Sequence, residues 1–168
     1  PTYRGARTTL GDVVAKTERV PESFFVADEK VDRWAYLKGP KAEPRVDKRT
    51  GHEYRYSEGG MAFPDPLDRP ARTILTGEGG ASASRFKHVI RDPQTGRLRR
   101  LTPEELEELN GFPRGWTDTG MGDGKRAFMM GNALVVGIVE RLGRAIKDEA
   151  AVCLSERAAQ RATSASDS

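Results

Sequence analysis

The sequence predicts an α+β fold, and three stretches carry that reading. Arg85-Phe-Lys-His-Val-Ile90 alternates basic and apolar side chains as a half-buried strand does, and Arg97-Leu-Arg-Arg-Leu101 returns after a turn at Asp92-Pro-Gln-Thr-Gly96 to make an antiparallel pair. Residues 102–110 form a short helix punctuated at both ends. Thr102 caps it, Pro103 suits the first position because it has no N–H to lose, Glu105 completes a capping box, and Asn110-Gly111 stops it before Phe112-Pro113. Leu101 and Leu106 sit where a hydrophobic staple closes. A terminal helix over about 135–154 places Val135, Val139, Leu142 and Ile146 on one stripe.

The remaining elements follow in chain order. Residues 1–20 are a polar N-terminal segment interrupted by Thr9-Leu-Gly-Asp-Val-Val14. Phe24-Phe-Val26 enters a strand or turn, and Asp28 caps a short helix whose Val31, Trp34 and Leu37 share one face, which puts Trp34 in the core. Glycines and prolines break residues 38–60 into a loop and a hairpin arm, with Tyr54 and Tyr56 alternating as on a strand. Residues 63–76 begin as a proline-rigid connection and end in the run Thr73-Ile-Leu-Thr76, expected to deliver the chain into a strand. Residues 77–84 are a flexible loop, and Gly120-Met-Gly-Asp-Gly-Lys125 is a turn-rich loop whose spacing does not match a phosphate-binding loop. Gly137 and Gly143 inside the terminal helix imply close packing against another backbone. After Ser155 the composition predicts a disordered tail.

With 36% hydrophobic and 32% charged residues in 168, only a small core is available. No apolar run approaches the roughly 20 residues that span a bilayer, so the expectation is a cytoplasmic protein without membrane contact. A lone cysteine, Cys153, leaves no internal disulfide, and with His52 and His88 beside it no metal cluster can be written. The net charge is +3, yet Arg85, Lys87, Arg91, Arg97, Arg99 and Arg100 face only Asp92 within residues 84–100. From charge alone, such a run is either a contact for a polyanion or a solvated surface.

Leu101-Thr-Pro-Glu-Glu105, followed by Leu109-Asn-Gly-Phe-Pro113 and Trp116, resembles the ninth conserved motif of the DNA cytosine-5 methyltransferases. Arg126-Ala-Phe-Met-Met-Gly-Asn132 and the following Ala-Leu-Val-Val-Gly-Ile-Val139 resemble the tenth, a Gly-Asn turn that opens a terminal helix beside the cofactor. Arg72-Thr73-Ile74 resembles a step common in that family's recognition region. Three positions depart from the pattern: Glu108 stands where the family usually has arginine, Asn110 where it has glutamine, and Gly137 where the terminal helix usually starts with proline. The likeness covers roughly residues 8–146.

It implies a small, mostly β target-recognition domain over residues 21–125 that includes the capped helix, then the tenth-motif turn and terminal helix over 126–154, then the tail at 155–168. That helix would pack on a Rossmann-like catalytic domain. The family's glycine-rich cofactor loop and its nucleophilic Pro-Cys step do not occur in the sequence, and Cys153 reads as a small hydrophobe, so no catalytic residue is assigned. The implied role is recognition of double-stranded DNA and completion of an S-adenosyl-L-methionine site, in the setting of restriction-modification. The nucleophile would come from a missing N-terminal part or from a partner subunit. Arg72, Thr73, Gly79, Gly80, Arg85, Lys87 and Arg91 are the candidate DNA contacts, the cations serving equally as base readers or phosphate contacts and the glycines allowing backbone approach. Asn132, Ala133 and Leu134 are the candidate cofactor residues, with Gly131 forming their turn, while His88 packs or bonds locally. The terminal stripe is expected to hold the catalytic part or to pair with a second copy. Two rival readings are a non-catalytic regulatory DNA-binding module derived from such an enzyme, and an interaction domain whose basic run is neutralised by acidic neighbours.

Overall fold

The computed structural model describes the backbone of residues 7–166 and the side chains of residues 7–154; positions 1–6 of the N-terminal segment and 167–168 of the expected tail lie outside the described residues. The chain divides into two compact units, Pro1–Ala133 and Leu134–Ser168. In the first, helices α1 (Leu10–Val14), α2 (Val31–Lys38), α3 (Pro103–Leu109) and α4 (Asp123–Asn132) accompany two antiparallel hairpins, β1 (Lys41–Val46) with β2 (Glu53–Glu58) and β3 (Val89–Arg91) with β4 (Leu98–Arg100). The α+β class is as expected. Helix outweighs strand, 39% against 13%, so the region read as mostly β is loop-rich chain braced by two hairpins.

The β3–β4 hairpin divides the core. Successive strand residues point to opposite faces, so Val89 joins Val26 and Trp34 on one side while Ile90 joins Leu10, Val14, Leu101, Leu106, Ala127 and Met130 on the other. Its turn is the one the sequence predicts: the Asp92 N–H donates to the Arg97 carbonyl, and the Asp92 carboxylate accepts from the Thr95 N–H and hydroxyl. The Val26 N–H donates to the Leu98 carbonyl, which fastens the preceding turn to the strand edge.

Helix α3 has its capping box, and the box does more than end a helix. Glu105 accepts the Thr102 N–H at 2.9 Å and also takes both terminal nitrogens of Arg99 at 2.8 Å each. Arg99 reaches Asp92 through Nε at 2.9 Å. Opposite Ile90 on β4, Arg99 is 1% exposed and Glu105 is fully buried. One guanidinium therefore ties the hairpin turn, the strand and the helix cap together.

Several elements differ from the sequence reading. Residues 10–14 form a helix, because Thr9 and Asp12 make a second capping box, and Leu10, Val13 and Val14 are buried. The strand expected over 85–90 begins only at Val89, since Lys87 and His88 both turn inward to bond nearby loop groups. Thr73-Ile-Leu-Thr76 does not enter a strand; it passes into a tight turn at Thr76–Glu78 against which α4 packs. That packing is backbone to backbone: a Cβ on Gly131 would lie 2.2 Å from the Thr76 nitrogen, and one on Gly79 would lie 2.4 Å from the Gly124 carbonyl oxygen. Asp123 accordingly starts α4 where a loop was expected, and Gly131-Asn132 ends that helix instead of turning into the next.

In the second unit, α5 runs Val136–Ser166, beyond the end expected near Leu154 and through the stretch read as a disordered tail. Alanine and arginine are good helix formers, which accounts for the extension. Val135, Val139, Leu142, Ile146 and Cys153 are exposed. Gly137 and Gly143 have open space around them, so the close packing they imply is not made within this unit. Among the described residues no helix is long and apolar enough to cross a membrane, and no group of three or more His, Cys, Asp or Glu could hold a metal ion.

Removing the Arg99 side chain strands two carboxylates in the core. Arg99→Ala is expected to cost about 3–5 kcal/mol of stability, a large part of what a domain of this size has. Urea unfolding of the variant and parent checks this; an unchanged midpoint contradicts the role given to Arg99.

Candidate nucleic-acid interface

The cations singled out by sequence sit on the loops around β3, and each already has an internal partner. Arg72 grips the buried Asp65 carboxylate at 2.7 and 3.2 Å and donates to the carbonyls of Phe86 and Lys87. Lys87 is 5% exposed and donates to the carbonyls of Gly80 and Ser82 at 3.0 and 2.7 Å. Arg85 donates to the carbonyls of Leu37, Gly39 and Gly59 and pairs with Glu58 at 3.1 Å, which fixes the base of the β1–β2 hairpin. Arg91 and Thr73 are exposed, and Arg91 donates to the Gly96 carbonyl across its own turn. Gly79 lies against α4, while Gly80 adopts a positive φ of 79° and presents its carbonyl to Lys87 and Arg100. His88 is buried, with Nδ1 on Glu78 at 2.5 Å and Nε2 without a partner.

Asp65 is the residue that sequence reasoning missed. Its carboxylate accepts from Arg72 and from the Val89 N–H, and Lys38 Nζ stands 3.6 Å away. Burial by itself would raise the Asp65 carboxyl, but the bonds from Arg72 and Val89 and the nearby Lys38 charge outweigh it and hold the group below the usual carboxylate range. Burial pushes the Lys38 ammonium below the ordinary lysine value. Nothing in a Pro-Asp-Pro step marks an interior hub, because its partners lie on other segments.

A second charged cluster joins α3 to α4. Glu107 is buried and accepts from the N–H groups of Gly115 and Thr117 at 2.6 and 3.0 Å, from the Thr117 hydroxyl, and from Arg126 at 3.0 Å. Asn110 Nδ2 donates to the Met130 carbonyl at 2.9 Å, so the two helix ends meet. At the end of α4, Asn132 is exposed; its Nδ2 donates to the Phe128 carbonyl at 3.0 Å, and its Oδ1 is uncommitted. Ala133 packs against the main core, and Leu134, which begins the second unit, is 72% exposed.

Comparison with known proteins gives this geometry a setting. The sequence profile of the C-5 cytosine-specific DNA methylase family matches residues 6–148. The chain belongs to this family. It is 45% identical over 139 residues to the Type II methyltransferase M.Sau3AI of Staphylococcus aureus, an alignment that covers 83% of this chain and 32% of that protein. The chain thus spans about a third of the curated relative's length. No solved structure matches it.

Within this methylase chain, Glu108 has a local explanation for standing where its family resemblance leads one to expect arginine: it accepts from Arg114 at 2.7 Å and pairs with Lys16. Asp65, Asp92, Glu107 and Glu108 share one electrostatic pattern, in which burial would raise each carboxyl but hydrogen bonds and cations lower it further. Groups depressed on folding contribute stability that is complete above their ordinary values, 3.8 for Asp and 4.5 for Glu, and is lost as pH falls through the lower folded values. Urea midpoints are therefore expected to hold steady down to about pH 5 and to fall below it. In Arg72→Ala the Asp65 contribution shrinks, so the midpoint is expected to be lower at neutral pH and to fall less on acidification than that of the parent.

Proposed function

We propose that this chain is the target-recognition and cofactor-completing part of a DNA cytosine-5 methyltransferase acting on double-stranded DNA in the cytoplasm, within a restriction-modification system. The observation that carries it is the family match across residues 6–148 of a chain that covers only 32% of its methyltransferase relative. The nucleophilic cysteine and the glycine-rich cofactor loop then belong to the remaining part, whether that is an N-terminal half of the same polypeptide or a separate catalytic subunit. In this reading residues 21–125 carry recognition, and residues 126–154 carry the cofactor edge and the docking helix.

The recognition surface includes the loop system around β3. Thr73 and Arg91 are the exposed members that meet DNA, and Arg72, Arg85 and Lys87, together with Gly79 and Gly80, hold the loops in shape through the bonds described above. Cofactor binding falls to Asn132, Ala133 and Leu134. The C-terminal end of α4 carries the negative pole of its helix dipole. With the free Oδ1 of Asn132 it offers acceptors suited to the ammonium group of S-adenosyl-L-methionine. That cofactor supplies the methyl group when bound.

Two measurements test this reading. Incubated alone with labelled S-adenosyl-L-methionine and mixed-sequence DNA, the chain is expected to incorporate no label, and adding a polypeptide with the Pro-Cys step and cofactor loop is expected to restore incorporation. Transfer by the chain alone that Cys153→Ser abolishes would overturn it. The exposed stripe of α5 is read as the surface that docks on the catalytic part, or on a second copy when that part is absent. A carboxylate in such an interface, as in Val139→Asp, costs several kcal/mol. The variant is expected to lose co-purification with the catalytic part and concentration-dependent sedimentation of the chain alone. Unimpaired assembly and methylation remove the docking role.

A further inference from the structure

Each cation of residues 85–100 has an internal partner, whereas the distal half of the β1–β2 hairpin carries three described side chains that have none: Lys48, Arg49 and Arg55. The hairpin is an ordered ribbon. Its strands pair in full from Lys41 opposite Glu58 to Val46 opposite Glu53. The Asp47 carboxylate accepts the N–H groups of Arg49 and Thr50 at 2.8 and 2.9 Å, and Gly51 takes the positive φ of 72° that closes the turn. Arg85, bonded to Glu58 and to the Gly59 carbonyl, anchors the base.

The two faces of the ribbon differ. On one, the charges satisfy each other: Lys41 pairs with Glu58 at 3.0 Å, and Arg45 pairs with Glu43 while lying 3.6 Å from the centre of the Tyr56 ring. On the other, exposed Ala42, Pro44 and Val46 stand opposite Ser57, Arg55 and Glu53. Arg55 is thus an unpaired guanidinium beside the small side chains of Ala42, Pro44 and Ser57, which let a partner come close, with Glu53 further along the same face.

We propose that the β1–β2 hairpin enters the major groove of double-stranded DNA with this second face, Arg55 reading a guanine and Lys48 and Arg49 holding flanking phosphates. The proposal rests on the recognition role assigned above. A two-stranded ribbon fits the major groove, a guanidinium pairs bidentately with guanine O6 and N7, and small apolar side chains tolerate a thymine methyl group nearby. Charge complementarity favours the polyanion, because Lys48, Arg49 and Arg55 outnumber the Asp47 and Glu53 carboxylates of the same distal half.

The test uses the complete methyltransferase, with its catalytic part, and a pool of random-sequence duplexes. The bound fraction is sequenced, and affinity for the enriched duplex and for a scrambled one is measured across a salt series, with thermal melting to check that each variant is folded. Arg55→Ala is expected to bind the enriched duplex about tenfold more weakly with little change on the scrambled one, and to lose selection at one base pair. Arg55→Lys, which keeps the charge without the fork, is expected to leave that base pair unselected. The double variant Lys48→Ala, Arg49→Ala is expected to weaken both duplexes alike and to flatten the salt dependence by about 2 in log–log slope. Folded variants that select and bind as the parent does overturn the ribbon while leaving the recognition role standing. A parent that enriches no sequence overturns the recognition role and the ribbon together.

Discussion

The first unit depends on a cation buried where a larger protein would place hydrocarbon. Arg99 lies between Asp92 and Glu105 with almost no exposure, and its bonds reach a hairpin turn, a strand and the cap of α3 at once. Removing such a group from water is costly and is offset only when every donor finds an acceptor in good geometry. That requirement sets the distance between the hairpin and α3 more narrowly than apolar contact would. Two further clusters repeat the arrangement, Asp65 with Arg72 and Lys38, and Glu107 with Arg126 and Thr117. A chain with 32% charged residues and a small apolar core is held in shape by specific polar contacts.

This changes where the charge available for a nucleic acid lies. Apart from the exposed Arg91, the basic run over 85–100 is committed to internal carbonyls or to neighbouring acids, as Arg97 is to Glu22 and Arg99 to Glu105. Its work is to hold loops and to anchor the ribbon. Uncommitted positive charge stands instead on the β1–β2 hairpin, a segment of mixed sign in which neutralisation of one face leaves the other free.

The α3–α4 pair shows how a motif is positioned. Glycines 79, 124 and 131 remove side chains where α4 crosses the Thr76–Glu78 turn, so helix and loop backbones touch. The Glu107–Arg126 pair and the bond from Asn110 to the Met130 carbonyl then fix the rotation of α4, and with it the position of Asn132. These contacts make one helix the platform on which the other is oriented.

Local signals determined what depends on neighbours in sequence. The capping box of α3, the Asp92–Gly96 turn, the burial of Trp34 and the α+β class were all legible, because their bonds close within a few residues. The same rule holds at Thr9 and Asp12, where an aspartate takes the place of the usual Glu or Gln of the box. Alternation over 85–90 misled, since Lys87 is an interior donor and hydropathy cannot distinguish a lysine that finds two carbonyls from one in water. Asp65 as a hub, the glycine contacts of α4 and the neutralisation of the basic run were decided by tertiary structure alone. Their partners come from segments far apart in sequence, and only the folded chain brings a donor and an acceptor to 2.7 Å, as it does for Arg72 and Asp65, or a carbonyl to where a Cβ would have stood.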